Sequence, residues 1–231
     1  MIAYLISRIK DVYLAQVERR AYYANAPFAQ VDILLNRAYK FKSPFRISSA
    51  FLRKKGFLDI HLYGETPLHT LDKLAQAAHI TSSDCVLDLG AGRGRSLLFW
   101  HSFYGCKVIG YEQIPLFCAR ANSIFSKNKL PLEMKNQTLE QGLGEEGSIA
   151  YLYGPNFSAS QLKALVTQII RSKSLKKVIS ISFPLSDYDK SGHLSPFRQI
   201  EVNFPWGKTT AYIETVTSGR AKTKTPRPSI K

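Results

Sequence analysis

Val86-Leu-Asp-Leu-Gly-Ala-Gly-Arg-Gly-Arg95, followed by Lys107-Val-Ile-Gly-Tyr-Glu112, decides the fold. Cys85 to Leu89 is a short apolar run of strand length, interrupted by Asp88 near its C-terminal end. Gly90, Gly92 and Gly94 let the chain turn sharply and lie against a ligand, because none carries a Cβ. A helix from Arg95 to Tyr104 then aims its N-terminal N–H groups at that ligand. The second strand ends on Glu112, 24 residues beyond Asp88, where nucleotide-binding folds place the carboxylate that grips ribose hydroxyls. Two details narrow the ligand. A dinucleotide fingerprint has no acid just before its first glycine, whereas Asp88 stands two residues ahead of Gly90; and no G-x-x-x-x-G-K-[ST] is present to wrap a triphosphate. An acid set against a glycine turn suits a cationic ligand with a free amino group better than a pyrophosphate.

Working outward, the alternation of strands and helices predicts a doubly wound α/β sheet. Pro115 to Lys127 reads as a helix, Leu132 to Asn136 as the third strand and Ser148 to Tyr153 as the fourth. Ser158 with Gln161 makes a capping box for a helix through Ile170. Lys177 to Phe183 is the fifth strand, stopped by Pro184. Ile200–Phe204 and Thr209–Thr217, joined around Trp206-Gly207, predict a closing antiparallel hairpin, hence a reversed last strand. Upstream, residues 1–60 read as a basic helical extension: a stripe of Ile2, Leu5, Ile6, Ile9, Val12 and Tyr13 running to Ala24, a second helix started by Pro27, a linker Lys40–Arg46, and a helix ending near Arg53-Lys-Lys-Gly56. Thr66 as N-cap and Pro67 at the first position predict the helix that leads into the sheet domain, residues 61–217. The tail, 218–231, is rich in Thr, Pro and Lys and is expected to be disordered.

The net charge of +15 is unevenly placed: residues 1–60 hold eleven Lys/Arg against four Asp/Glu, and the last thirteen residues hold five Lys/Arg and no acid. Such flanks favour polyanionic partners and leave the middle of the chain near neutral. The tail is expected to serve target recognition and not the chemistry. Cys85, Cys106 and Cys118 are odd in number and fall in or beside core elements, which points to reduced thiols and a cytoplasmic setting. No pair of cysteines has ligand spacing and the five histidines are scattered, so no metal site is expected. No apolar run is long enough to span a bilayer, and Arg8, Lys10 and Asp11 break the opening apolar stretch, so no signal peptide is expected.

Asp88-Leu-Gly-Ala-Gly-Arg-Gly94 resembles the cofactor motif of class I, seven-strand S-adenosylmethionine methyltransferases. The resemblance implies S-adenosyl-L-methionine as cofactor, its methionine portion at Asp88, Gly90, Gly92 and Gly94 and its ribose at Glu112. His61-Leu-Tyr-Gly-Glu-Thr-Pro-Leu68 resembles the Y-G-E-T loop of non-SET histone lysine methyltransferases of the disruptor-of-telomeric-silencing family, whose G-x-E is matched by Gly110-Tyr-Glu112. Small bacterial and mitochondrial protein-lysine methyltransferases are similar too and nearer in size. The resemblance runs from Leu62 to Pro184, is clear at three motifs and loose between them, and implies that Tyr63, Glu65 and Thr66 help close the site. The family's G-D-F, whose acid holds the adenine amine, is replaced here by Asn136-Gln-Thr138, leaving Gln137 an uncharged acceptor. The Asn/Asp-Pro-Pro-Tyr signature of many base and glutamine methylating enzymes is absent.

A lysine acceptor must lose its proton, which an aromatic, apolar channel promotes. Of Tyr151, Tyr153, Phe157 and Phe183, the aromatics nearest the strand ends, Tyr153 is the expected channel residue, and Asn156 is placed to orient the amine. Three functions follow from these residues: transfer of a methyl group to a protein lysine, which leads; methylation of RNA, motivated by the basic flanks; and non-catalytic nucleic-acid binding on a methyltransferase fold.

Overall fold

The computed structural model describes residues 13–61, 63–154 and 157–217. Within them the apolar runs become five parallel strands: β1 (Cys85–Leu89), β2 (Lys107–Glu112), β3 (Glu133–Asn136), β4 (Ile149–Leu152) and β5 (Lys177–Ile181). β6 (Leu194–Phe204) and β7 (Gly207–Val216) form the antiparallel hairpin, and β7 inserts beside β5. The order β3-β2-β1-β4-β5-β7-β6 is the doubly wound sheet with its last strand, β7, reversed. Its direction of winding changes between β1 and β4, and in open α/β sheets the crevice beyond the strand ends at this switch is where ligands bind.

Strand alternation divides the core into two layers. Val86, Val108, Ile149, Tyr151, Ile179 and Ile181 pack on one face, under α2 (Ala26–Arg37), α4 (Leu68–Ala78), α5 (Arg95–Tyr104) and α6 (Pro115–Lys127). Cys85, Leu87, Ile109, Ala150 and Val178 pack on the other, against Leu162, Leu165, Val166 and Ile169 of α7 (Ala159–Arg171). The same period of two turns Asp88 to the side of Val86 and Glu112 to the side of Val108. The three cysteines are buried and unpaired.

Three helix starts follow side-chain cap chemistry. Asn25 caps α2 by accepting from the Phe28 N–H, Ser43 caps α3 (Pro44–Lys54) by accepting from the Arg46 N–H, and the Ser158–Gln161 capping box opens α7 as expected. α3 therefore begins inside the stretch read as a linker. Thr66, however, is not the cap of α4. Pro67 occupies that position without a side-chain bond, and the Leu68 N–H donates instead to Oε1 of Glu18 at 2.6 Å. Glu18 lies on α1, helical over residues 13–22, so a partner fifty positions away supplies what Thr66 was expected to supply. Residues 1–12, which include the start of that predicted helix, and the tail from 218 lie outside the described residues.

The hairpin also differs from expectation. β6 begins at Leu194 and not Ile200, and a bulge at Pro196–Arg198 interrupts its pairing with β7. After the buried Leu194, the added residues Ser195 to Gln199 are exposed on both faces and include Pro196, which an edge strand tolerates because one row of its backbone groups faces solvent. β5 ends at Ile181, before Ser182 takes up a positive φ of 74°, so Ser182 and Phe183 belong to the following turn. Leu132, Ser148 and Tyr153 likewise fall just outside β3 and β4.

Candidate active site

The glycine turn is built from β1 into α5. Gly90 and Ala91 donate to the Tyr111 carbonyl at 2.9 and 3.1 Å, which ties the turn to β2. Gly90 has φ 94°, and a Cβ there would meet nothing nearer than the Tyr153 carbonyl oxygen at 3.8 Å, so it opens onto empty space. At Gly92, φ 54°, a Cβ would meet the Tyr63 hydroxyl at 3.1 Å. Gly94, the N-cap of α5, is turned away, toward Phe125 and Met134. Of the three glycines, then, Gly90 faces the cleft directly, Gly92 receives Tyr63, and Gly94 packs against the core.

Two connected chambers lie over this turn. The larger, about 910 Å³ counted to its open mouth, is lined by Tyr63, Gly90, Glu112, Gln137, Tyr153 and Phe157 among others. The narrower, about 370 Å³, is lined by Glu65, Thr66, Asp88, Gly92, Ser96 and Tyr151. Gly64, Gly90 and Tyr153 border both.

Asp88 is 2% exposed, accepts a hydrogen bond from the Ser96 hydroxyl, and has its carboxyl pushed up to about 7 by burial, with nearby Glu112 adding to the effect. Glu112 is 7% exposed and accepts from the Gly92 N–H at 2.9 Å and the Ile114 N–H at 2.8 Å. Burial outweighs those two bonds and raises its carboxyl to about 7 as well. No salt bridge among the described residues involves either acid. The nearby arginines are committed elsewhere. Arg93 grips Glu65 with two bonds, Nε to Oε1 at 2.5 Å and a terminal nitrogen to Oε2 at 2.6 Å, and Arg95 pairs with Asp32 and Glu18. Among the described residues, then, the site holds two buried acids without a protein cation, an arrangement that a cationic ligand would complete.

The loop before α4 folds over the glycine turn. The Tyr63 hydroxyl donates to Glu65 Oε1 at 2.6 Å, and Arg93 reaches on to Asn36 of α2 at 3.1 Å. Burial raises the Glu65 carboxyl, but the charge and bonds of Arg93 outweigh it and hold the group below its ordinary value. Glu65 therefore borders the narrow chamber as a fastener between loop and turn, with its charge already spent on Arg93. Thr66 shares a 2.6 Å bond with the Tyr151 hydroxyl. Gln137 lies in the larger chamber, its Nε2 donating to the Gly142 carbonyl at 2.7 Å. Tyr153 stands just past β4, its hydroxyl accepting from Trp206 Nε1 at 3.2 Å and its ring 4.7 Å from Phe204. Phe157 borders the larger chamber, whereas Phe183 packs toward Tyr188. Asn156 lies outside the described residues.

Ser96, Gln113 and the α3 residues Ser48 and Leu52 also line the chambers. Ser96 carried no signal beyond its place two residues after Gly94. Ser48 and Leu52 could be reached only through the amphipathic pattern of α3, which shows that a helix packs but not what it covers. Among the described residues no group of His, Cys, Asp and Glu is placed to hold a metal, and no helix is long and apolar enough to cross a membrane.

No protein-family model matches the chain, and no curated protein matches it in sequence. Solved structures do match in fold. An RNA methyltransferase from Salinibacter ruber in complex with S-adenosyl-L-homocysteine is 20% identical, covers 73% of this chain and 100% of its own, and has a TM-score of 0.55. A methyltransferase from Pyrococcus furiosus is 13% identical, with 73% and 93% covered and a TM-score of 0.52. A geranyl diphosphate methyltransferase in complex with SAM is 10% identical, with 65% and 86% covered and a TM-score of 0.54. At these identities the likeness establishes a Rossmann-like methyltransferase fold.

Proposed function

We propose that this chain is an S-adenosylmethionine-dependent methyltransferase. The observation that carries the reading is the pair of buried acids, Asp88 and Glu112, beside the glycine turn, neither of them in a salt bridge among the described residues. Asp88 would hold the cofactor's ammonium group, Glu112 its ribose hydroxyls, and the Gln137 amide oxygen its adenine amine. When bound, the cofactor supplies an electrophilic methyl group. Tyr63, Gly64 and Thr66 cover the turn and exclude water, and Ser96 fixes the Asp88 carboxylate.

The acceptor we propose is a protein lysine amine, entering beside Tyr153. Positioning supplies most of the acceleration once the amine is neutral, and an aromatic, partly apolar wall disfavours the ammonium form. Burial pushes the Tyr153 hydroxyl upward, so it stays protonated and orients by hydrogen bonding, without acting as a base. Asn156 is assigned a supporting role toward the amine. The three buried free thiols support a reducing, cytoplasmic setting. The second reading, an RNA methyltransferase, is favoured by the Salinibacter ruber likeness over that protein's whole length and by the basic flanks.

Incubating the protein with labelled methyl donor and whole-cell extract, then digesting with protease or nuclease, tests both. Label removed by protease supports the lysine reading and label removed by nuclease the RNA reading. Cofactor binding with no label transferred to either would contradict both and leave a non-catalytic binding protein. In the same assay, Tyr153→Ala should lower the rate of incorporation at saturating cofactor by about tenfold or more, while cofactor affinity changes little. Tyr153→Phe should be milder if the ring alone matters and as severe if the hydroxyl orients the amine. A wild-type rate in folded Tyr153→Ala would move the acceptor to another wall of the cleft.

A further inference from the structure

From residue 33 to residue 58 the chain carries seven cations, Arg37, Lys40, Lys42, Arg46, Arg53, Lys54 and Lys55, and not one Asp or Glu. None of the seven is in a salt bridge among the described residues. α3 lies at the centre of this stretch. It buries Ile47, Ser48 and Leu52, and through Ser48 and Leu52 it forms part of the larger chamber's wall. Its outer face carries Arg46, Arg53 and Lys54. Interleaved with the cations stand aromatic rings that the fold leaves in solvent: Phe41 is 94% exposed and Phe45 59%, and Phe57 is exposed while also lining the chamber. The patch therefore runs continuously from the outer face of α3 into the mouth of the cleft.

We infer that this face binds single-stranded RNA and lays it across the mouth of the cleft. The cations supply attraction to phosphates, and exposed rings among them supply platforms for unstacked bases. A duplex hides its bases from such rings, so the rings select single strands. A membrane surface fits less well. An amphipathic helix binds lipid by inserting its apolar face, and the apolar face of α3 is already buried against the protein. An acidic protein segment would use the charges but leave the rings without a purpose. The inference rests on the fold and the exposed surface, and it holds whichever nitrogen is methylated.

Fluorescence anisotropy of the full chain with a labelled twelve-nucleotide oligouridine tests it, with phosphatidylserine vesicles and poly-glutamate as competing probes. Arg46→Gln/Arg53→Gln/Lys54→Gln should weaken oligonucleotide binding by about tenfold or more at 0.1 M salt and reduce the log–log salt slope by roughly 2, as losing three phosphate contacts to a single strand requires. Phe41→Ala should weaken binding by about fivefold or more without changing the slope, because stacking releases no counterions. Both variants should bind S-adenosylmethionine as wild type does, which separates failure here from failure of the cofactor reading. Oligonucleotide affinity unchanged in either folded variant overturns the inference. So does poly-glutamate binding that matches the oligonucleotide and is equally sensitive to Phe41→Ala. A Phe41→Ala loss seen only with vesicles would overturn it in favour of lipid.

Discussion

Asp88→Asn should weaken S-adenosylmethionine binding by about 2–5 kcal/mol while making the unliganded protein more stable. The two effects have one cause. The Asp88 carboxylate is buried, accepts a hydrogen bond from the Ser96 hydroxyl, and is in no salt bridge among the described residues, so the proposed ammonium of the cofactor would be its counter-ion. Its carboxyl, near 3.8 in an unfolded chain, sits at about 7 in the folded one. The folded state therefore holds a proton that the unfolded state has released, and stability falls as pH rises from about 4 through about 7. Asparagine keeps the acceptor for Ser96 and removes the charge. Urea denaturation of the unliganded proteins should show the variant's advantage widening by about 2–3 kcal/mol between pH 5 and pH 8. A variant that keeps wild-type affinity, or whose advantage does not grow with pH, would remove Asp88 from the cofactor site.

Arg95→Met should destabilise the protein by about 3–5 kcal/mol, since it strips the partner from two buried acids at once. Arg95 meets Asp32 at 2.8 Å and Glu18 at 2.9 Å, and the Asp32 side chain is wholly buried. Glu18 also caps α4 through the Leu68 N–H, and Asp32 accepts from the Tyr23 hydroxyl at 2.6 Å. One guanidinium at the first position of α5 thereby holds α1, α2 and α4 to the glycine turn. Removing one of the two stranded acids should recover part of the loss: Arg95→Met/Asp32→Leu is expected to be more stable than Arg95→Met alone, because only Glu18 is then left without its cation. A loss below about 1 kcal/mol in the single variant, at a site this buried, would contradict the clasp.

What was legible in the sequence was local. The β1–turn–α5–β2 unit, with Asp88 and Glu112 facing one chamber system, could be read because apolar runs, glycines and an acid at fixed spacing lie within thirty residues. The Ser158–Gln161 box was equally local. What escaped depends on partners far apart in the chain. Nothing near Thr66 announces that Glu18 will cap α4, and nothing near Glu65 announces that Arg93 will take its charge. The first half of β6 escaped for another reason. It has no apolar alternation, since it lies at the sheet edge and is held by backbone pairing to β7. The wall that α3 adds to the cleft follows from its packing with Tyr39, Ile114, Phe117 and Tyr63, which amphipathicity alone does not fix.

Calorimetric titration of S-adenosylmethionine into the protein at pH 6, in two buffers of different ionisation enthalpy, tests the cofactor assignment most directly. With Asp88 and Glu112 both near 7 when the site is empty, most of each population carries a proton at pH 6. Pairing Asp88 with the ammonium and accepting hydrogen bonds from the ribose hydroxyls at Glu112 both favour the carboxylate form, so binding should release between one and two protons, and affinity should rise by about tenfold or more from pH 5.5 to pH 7.5. Absence of binding, or binding with neither proton release nor a rise in affinity over that interval, would contradict the account.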